Sequence, residues 1–377
     1  MYRNALVVGV RQLDHSGEKP TVEQMMLSLG QNTGNMMFTQ SLTSVLEGAK
    51  WGSFRLDAED LEGHDVIVLA AANWVNNFDD FGWLADRLEK TRLPVLLIGV
   101  GAQASTADEI PEVSAGTLRL LRLVQDRSTS ISARGTFSCE VLNKYGIKSA
   151  RPTGCPSLML MGPEGPSPSL LREPRFDACS THSTRHGFSR TDPFQTFLYR
   201  QAFSRGLDLV LQSEVADIHY AVRGRTGEDV PVRASEILPE IYGAPMEAIA
   251  TYLERHGRVF TQYSDWIAYM RQRSFCFGTR IHGTIAALIA GTPASLIVHD
   301  SRTMELAQIM GVPVIRWQDI PGDRDIDIAS LYSRTQLRDF VARFASYYGN
   351  FLDYMAENDL TIARGFRLGA PQIACAS

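Results

Sequence analysis

The sequence predicts an α/β protein in which two domains each pack helices around a parallel sheet. Short continuous apolar runs, typical of strands covered on both faces, alternate with helical patterns along the 377 residues. Gly162–Ser169 interrupts this alternation with three Pro and two Gly, which end elements rather than build them. Two α/β halves on either side of such a segment indicate two Rossmann-like domains facing a cleft.

The first half alternates four predicted strands with four predicted helices. The strands are Ala5–Val10, Asp65–Ala72, Pro94–Gly101 and Ser130–Arg134. The helices are at about Met36–Leu46, Asp79–Thr91, Thr117–Gln125 and Thr136–Tyr145. Gly146 follows the last helix and is expected to end it from the position after its C-cap. We therefore assign residues 1–165 to an N-terminal domain.

The second half repeats the pattern from Phe176 onward. The predicted strands are Phe176–Ser180, Asp208–Gln212, Arg258–Gln262, Phe275–Gly278 and Ala294–Val298. The predicted helices are Met246–His256, Asp265–Arg273 and Glu305–Met310, the last followed by Gly311. We assign 176–333 to a C-terminal domain. A long amphipathic pattern within 334–377 is expected to form a helix that packs back.

Composition indicates a globular protein with a large core and excludes several kinds of partner. The formal net charge is −5 and no basic block stands out, so we expect no nucleic-acid partner. The five Cys lack any CxxC pair, which favours reduced thiols in the cytoplasm. We expect no signal peptide, no transmembrane segment and, because His182 and His186 have no apparent third ligand, no metal. Contact with the inner face of the membrane is left open.

The most informative segment is Phe275–Pro293, where an apolar strand ends at Gly278 and a small-residue helix follows at once. This pattern places Arg280 and His282 beside the free N–H groups that open the helix. Helix N-termini favour anions, and an Arg and a His add a fixed and a titratable positive charge. The segment therefore predicts a site for a phosphorylated or carboxylated substrate. The alternatives are a salt bridge for Arg280 and a buried core imidazole for His282.

Five segments in order resemble the polysaccharide pyruvyl transferase family. Gly278–Gly283 with Ala287–Pro293 resembles the family's Gly-x-Arg-x-His-(Gly/Ala) block. The other four segments are Asn32–Asn35, Ile98–Gln103, Ser132–Ser138 and Thr153–Leu158. Two positions depart from the family pattern, because Cys155 stands where Asp is usual and Arg302 where a Lys commonly follows the next strand.

This resemblance implies a glycosyltransferase-B-like fold and an enzyme that transfers the pyruvyl group of phosphoenolpyruvate to a sugar. The product would be a pyruvate ketal on a glycan or on a lipid- or nucleotide-linked precursor, in exopolysaccharide or cell-envelope biosynthesis. The C-terminal domain is expected to hold phosphoenolpyruvate and the N-terminal domain the acceptor. Phosphoenolpyruvate would act as a co-substrate, with no further cofactor, in the cytoplasm.

The resemblance and the chemistry together nominate the site residues. His282 is the expected acid, since its pKa range suits proton transfer, and Glu214, after a strand, is the expected base. Arg280, Arg134 and Arg302 are expected to bind the donor, because guanidinium groups pair with carboxylate and phosphate. The further substrate-binding candidates are Asn32, Asn35, Gln103 and Gly283. The alternatives are a solvated loop carboxylate for Glu214 and a helix cap for one of the Asn residues.

Two other functions remain open at this level. The first is a glycosyltransferase of the same architecture, which would place the diphosphate of a nucleotide sugar at the helix after Gly283. The second is a non-catalytic glycan-binding or assembly protein. The sequence names neither the acceptor sugar nor the ketal positions.

Overall fold

The computed structural model describes residues 1–13, 20–103, 110–223, 230–321 and 325–368, without the side chains of Arg223, Ser301 and Arg302. The chain forms two compact units, and neither is continuous in sequence. The first unit contains Met1–Gly9, Ser41–Pro166 and Val341–Ser377. The second contains Val10–Gln40 and Ser167–Phe340. The division at Pro166 lies inside the predicted Pro- and Gly-rich segment, but residues 10–40 group with the second unit rather than the first.

The first unit is built on a parallel four-stranded sheet in the order β2-β1-β3-β4. Its strands are β1 (Ala5–Val8), β2 (Lys50–Gly52), β3 (Val66–Ala70) and β4 (Val95–Ile98), and a parallel pair follows, β5 (Ile131–Ala133) and β6 (Ala150–Pro152). Its helices are α3 (Ala58–Leu61), α4 (Gly82–Leu88), α5 (Ala115–Arg127) and α6 (Thr136–Lys144). The residues of β1, β3 and β4 are all buried, as expected for strands covered on both faces.

The second unit is built on a parallel six-stranded sheet in the order β12-β11-β10-β7-β8-β9. Its strands are β7 (Cys179–His182), β8 (Asp208–Leu211), β9 (Gly257–Val259), β10 (Phe275–Gly278), β11 (Ala294–Val298) and β12 (Val314–Arg316). Its helices are α1 (Val22–Ser28), α7 (Pro193–Arg205), α8 (Val215–Arg223), α9 (Val232–Tyr242), α10 (Met246–His256), α11 (Tyr263–Met270), α12 (Ile281–Ile289), α13 (Ser301–Met310) and α14 (Ile328–Arg334). The predicted α/β class with parallel sheets is therefore confirmed.

Two helices contribute residues to both units, namely α2 (Asn35–Val45) and α15 (Leu337–Glu357). From Val341 onward, α15 packs on the first unit, as the predicted return of the C-terminal helix requires. Tyr347 donates a hydrogen bond to the Cys155 carbonyl at 2.6 Å, and Glu357 pairs with Arg151 at 2.6 Å. These contacts join the end of the chain to the region of β6. No helix within the described residues is long and apolar enough to span a membrane.

Candidate active site

The strand-turn-helix at the centre of the second unit has the predicted form. β10 is buried between β7 and β11 and ends at Gly278, whose φ of 148° is unfavourable for residues with a side chain. A Cβ at Gly278 would collide with the backbone of His182, so glycine permits close approach of the two strand ends. Arg280 is then the N-cap residue of α12, and His282 lies in the first turn.

His182, the last residue of β7, packs against this turn and holds it by a hydrogen bond. Its Nδ1 accepts a hydrogen bond from the Arg280 backbone N–H at 2.9 Å, so the remaining proton of the neutral ring is on Nε2. The ring packs on Gly283, where an added Cβ would lie 2.8 Å from Nε2. Burial, assisted by the Arg280 charge, lowers the pKa of His182 to about 3. His182 is therefore a neutral acceptor that fixes the start of α12.

The side chain of Arg280 is held almost entirely by protein groups. Its Nη2 donates to the Arg185 carbonyl at 2.7 Å and forms a buried ion pair with Glu214, and it also contacts Ser213 Oγ. Its Nε donates to the Ser183 carbonyl at 3.4 Å. Within the described residues, Nη1 of Arg280 donates no hydrogen bond. The alternative expectation of a salt bridge for Arg280 is therefore observed, and Nη1 is the donor left for a ligand.

The surroundings of Glu214 argue against the expected role as a base. Its Oε1 accepts from Arg280 and from the Arg185 N–H at 3.2 Å, and its Oε2 accepts from the N–H groups of Gln212 and Ser213 at 2.6 and 3.0 Å. Burial acts to raise the pKa of Glu214, but Arg280 and these amides hold it below its usual value. With 0% exposure, this carboxylate is an ionised partner of Arg280 that no sugar hydroxyl reaches.

A second buried ion pair lies beside the first. Arg185 pairs with Asp217 with neither side chain exposed, and Tyr242 donates to Asp217 Oδ1 at 2.6 Å. The Arg185 guanidinium also donates to the Gly187 carbonyl at 3.1 Å. The burial and pairing of Arg185 stabilise the segment whose carbonyl and amide contact Arg280 and Glu214.

The segment Asn32–Asn35 meets His282 within the second unit. A Cβ added to Gly34 would lie 2.6 Å from both His282 Nδ1 and Gln212 Oε1, so the backbone passes directly over these two side chains. The Thr33 N–H donates to the Gln212 carbonyl at 2.9 Å, which fixes the loop against the end of β8. Two motifs far apart in sequence therefore form one site around His282.

The predicted contacts of Asn32 and Asn35 with a substrate stay predictions, because both side chains take part in the loop itself. Asn32 Oδ1 accepts from the Gly34 N–H at 2.9 Å, and Asn35 donates to the carbonyls of Leu29 and Gly30 at 3.2 and 3.1 Å. Sequence reasoning missed Gln212. Its Nε2, like Thr33 Oγ1, is buried with no hydrogen-bond partner among the described residues. Its position directly after the apolar run of β8 was the signal in the sequence that could have nominated it.

The first unit carries its own polar cluster at the carboxyl ends of β4 and β5. Arg134 donates from Nε to the Gly99 carbonyl at 3.0 Å and from Nη1 to Asn73 Oδ1 at 2.8 Å. Asn73 Nδ2 also donates to Gln103 at 3.3 Å. A Cβ at Gly101 would lie 2.9 Å from Arg134 Cδ, so this glycine makes room for the arginine. The structure joins the predicted Arg134 and Gln103 through Asn73, which the sequence did not nominate.

The remaining predicted site residues, Arg302 and Gly283, lie in α13 and α12. Arg302 lies in α13, but its side chain is outside the described residues, so its role in donor binding stays a prediction. Gly283 is buried against the ring of His182, which accounts for its small size without a substrate contact. Across the described ranges, no group of three His, Cys, Asp or Glu side chains could hold a metal ion.

Comparison with known sequences gives one family. The profile of the polysaccharide pyruvyl transferase family matches residues 27–301, which is more than half of the chain and includes both Asn32–Asn35 and the α12 segment. No curated protein matches the sequence significantly.

Comparison with solved structures gives distant likenesses. UDP-N-acetylglucosamine 2-epimerase from Rickettsia bellii is 9% identical, with a TM-score of 0.43 over 95% of this chain and 96% of that one. Os79 from O. sativa, solved in complex with UDP and deoxynivalenol-3-glucoside, is 10% identical, with a TM-score of 0.37 over 94% of this chain and 89% of that one. The calicheamicin glycosyltransferase CalG4 is 13% identical, with a TM-score of 0.31 over 90% and 82%.

Proposed function

The chain belongs to the polysaccharide pyruvyl transferase family and is a pyruvyl transferase, and from this premise we propose that phosphoenolpyruvate is its donor and a pyruvate ketal its product. The acceptor would be a pair of hydroxyls on a glycan, or on a lipid- or nucleotide-linked precursor of a cell-envelope or exopolysaccharide. Since phosphoenolpyruvate is a cytoplasmic metabolite, we place the reaction in the cytoplasm. The proposal needs no cofactor besides this co-substrate.

The observation that carries the proposal is the fixed guanidinium of Arg280 at the start of α12, two residues before His282. Three protein acceptors, including the Glu214 carboxylate, hold Nη2 and leave Nη1 as the remaining donor. A guanidinium held in this way is suited to one carboxylate or phosphate oxygen, and the N-terminus of α12 favours the same charge. An anionic three-carbon donor fits this arrangement.

The reaction proceeds by protonation of C3, addition of one hydroxyl to C2 and displacement of phosphate from C2 by a second hydroxyl. His282 protonates C3 and the enol carbon C2 becomes an oxocarbenium-like centre. One sugar hydroxyl adds to C2, the C2–O bond to phosphate breaks, and a second hydroxyl closes the ketal ring. Two hydroxyl protons are released in total. One of them replaces the proton that His282 gave to C3, and the leaving phosphate takes the other, so both protons have an acceptor without Glu214.

We keep Arg134 and Arg302 as further proposed cations for the anionic groups of the donor, Arg134 in the polar cluster of the first unit and Arg302 in α13 of the second. Arg134 is positioned by Gly99 and Asn73, in the way that the carbonyls and Glu214 position Arg280. In place of the base role expected from the sequence, Glu214 becomes a positioning residue that acts on the substrate through Arg280.

The test is a thermal-shift titration with phosphoenolpyruvate, set against UDP-glucose and UDP-N-acetylglucosamine. We expect phosphoenolpyruvate alone to raise the melting temperature of the wild-type protein, and Arg280→Lys to lose most of that rise. Release of inorganic phosphate on addition of a polysaccharide extract from the source cells is the second readout. Stabilisation by the UDP-sugars only would show that the chain uses a nucleotide sugar and would overturn the proposal.

A further inference from the structure

The side chain of Gln212 is buried without the hydrogen bonds that a buried carboxamide normally makes. The residue directly follows β8, is 1% exposed, and its Nε2 has no hydrogen-bond partner among the described residues. Most buried polar groups in folded proteins are paired, and the exceptions are expected at functional sites. A glutamine at this position therefore needs a reason other than packing.

The backbone of Gln212 is fixed on both sides. Its N–H donates to Glu214 Oε2 at 2.6 Å, and its carbonyl accepts from the Thr33 N–H at 2.9 Å. The first contact joins it to the buried carboxylate that holds Arg280, and the second joins it to the loop before α2. The carboxamide therefore starts from a fixed point between two parts of the candidate active site.

The carboxamide oxygen lies next to the ring of His282. A Cβ built on Gly34 would lie 2.6 Å from Gln212 Oε1 and 2.6 Å from His282 Nδ1, so these two atoms are at most about 5 Å apart. A direct hydrogen bond or one bridging water covers such a separation. Phe38 in α2 packs on the same imidazole, with ring centroids 5.9 Å apart. Nδ1 is therefore the ring nitrogen that lies against the loop and Gln212.

The chemistry of a carboxamide oxygen decides which ring nitrogen can deliver a proton. Such an oxygen accepts hydrogen bonds and cannot donate one, so it favours a proton on Nδ1. The hydrogen bond made by one nitrogen of a histidine sets the role of the other. The charged ring carries a proton on both nitrogens. When Nε2 gives its proton to C3 of the donor, the neutral ring keeps the proton on Nδ1, and a hydroxyl proton later restores the one on Nε2.

We propose that Gln212 is a positioning residue for His282. Its Oε1 accepts the proton of His282 Nδ1, so the proton delivered to the donor leaves from Nε2. This inference rests on the proposed function and deepens it, since it names the atom that acts as the acid. An uncharged acceptor also holds the ring without placing a further negative charge beside an anionic donor. The tautomer of the resting ring does not depend on which donor binds.

The test is ¹⁵N NMR of the histidine rings, which distinguishes a protonated ring nitrogen from an unprotonated one. The spectrum of His282→Ala identifies the His282 signals among those of the eight His. In the wild-type protein we expect the neutral His282 ring to carry its proton on Nδ1. Gln212→Met keeps the length of the side chain and removes the acceptor, so this variant should show a mixture of both tautomers.

Kinetics of the same variant measure the consequence for the reaction. In Gln212→Met we expect kcat for phosphate release to fall by about 10–100-fold, as it commonly does when the partner that orients a functional histidine is lost. The shift in melting temperature with phosphoenolpyruvate should persist, because Arg280 keeps its contacts with Glu214 and the Arg185 carbonyl. The change therefore affects the acid and not the binding of the donor.

The melting temperature separates this role from a structural one. Because Gln212 leaves a buried donor unpaired, Gln212→Met should keep the wild-type melting temperature or exceed it. The matched control is Gln201→Met in α7, where the carboxamide is bonded at both ends, to Asp325 at 3.2 Å and to the Ile326 N–H at 2.9 Å. The control should melt at a lower temperature with an unchanged kcat and an unchanged His282 tautomer.

The inference and the proposed function fail in different ways. A wild-type ring with its proton on Nε2, or the same tautomer in the wild type and in Gln212→Met, overturns the role of Gln212 even if phosphoenolpyruvate binds. A Gln212→Met protein that melts at a lower temperature and keeps the wild-type kcat also overturns it. If phosphoenolpyruvate gives no shift while Gln212→Met changes the tautomer, the proposed donor is wrong and the role of Gln212 stands.

Discussion

Glu214 holds the guanidinium of Arg280 inside the second unit through a buried ion pair, and this pair fixes the geometry of the candidate site. The carboxylate has 0% exposure, and its four hydrogen-bond donors are all protein groups. A buried charge with such partners is costly to disturb, because removal of one leaves the other desolvated and unpaired. The ion pair therefore holds the Arg280 guanidinium in one position near the N-terminus of α12, where His282 also lies.

Replacing Glu214 by Gln keeps the shape and removes the charge. We expect the free energy of unfolding to fall by about 3–5 kcal/mol, because Arg280 is left buried without a counter-charge. Urea denaturation measures this. The control is Glu240→Gln, which removes an exposed pair with Arg190 and should cost less than about 1 kcal/mol. A Glu214→Gln protein of wild-type stability that lost only kcat would restore Glu214 as a base.

Replacing Gly34 by Ala places a methyl group where His282 and Gln212 already lie. Since the added Cβ would be 2.6 Å from an atom of each, either the loop or the imidazole must move. A displacement of about 1 Å at a reacting group costs on the order of 10²-fold in rate, and we expect this loss in kcat/KM for the donor. Gly349→Ala is the matched control, because a Cβ there would meet nothing within 4 Å apart from its own helix backbone. Full activity in Gly34→Ala would contradict the close approach.

The pH dependence of stability should carry the signature of His182. Its pKa is lowered from 6.5 to about 3 in the folded protein, because burial and Arg280 disfavour the charged ring. Below pH 6.5 the unfolded chain therefore binds a proton that the folded protein does not bind. The stability contributed by neutral His182 is present above pH 6.5 and is lost as the pH falls towards 3. In the His182→Asn variant, Oδ1 can replace Nδ1 as the acceptor. Its free energy of unfolding should fall by about 1.4 kcal/mol less per pH unit in this window than that of the wild type. Parallel pH profiles for both proteins would reject the assignment.

His282 is the proposed acid, and its substitution should separate chemistry from binding. In His282→Ala we expect kcat to fall by about 10²–10⁴-fold, the usual contribution of a positioned acid. The shift in melting temperature with phosphoenolpyruvate should persist, since Arg280 keeps its own partners. His64→Ala, at a half-buried position of the first unit, controls for loss of an imidazole. A kcat near the wild-type value in His282→Ala would remove the acid role.

Much of the local structure could be predicted because its causes are local. The buried runs of β1, β3, β4 and β11 are continuous and apolar, and Gly146 has the positive φ expected after a helix C-terminus. The short edge strand β2, in contrast, has two exposed residues out of three and no apolar run. Its sequence shows no alternation of apolar and polar residues either, so the sequence analysis did not predict this strand.

The contacts that form the site were less predictable because they join distant parts of the chain. Glu214 and Arg280 are 66 residues apart, and no spacing rule connects them. The same holds for Gly34 and His282, which the family resemblance nominated separately without showing that they meet. Residues 10–40 follow β1 directly, so the sequence placed them in the first domain, whereas packing against α8 and the end of β8 places them in the second unit.

The interleaved course of the backbone also constrains biosynthesis. The first unit includes α15 from Val341 onward in addition to its earlier segments, and the second includes α1 and the start of α2 as well as Ser167–Phe340. A ribosome therefore releases β1, β3 and β4 long before the helix that completes their packing has been translated. Cutting the gene at Pro166 would give two fragments that each lack a piece of their own core, so the halves should be recoverable only by co-expression.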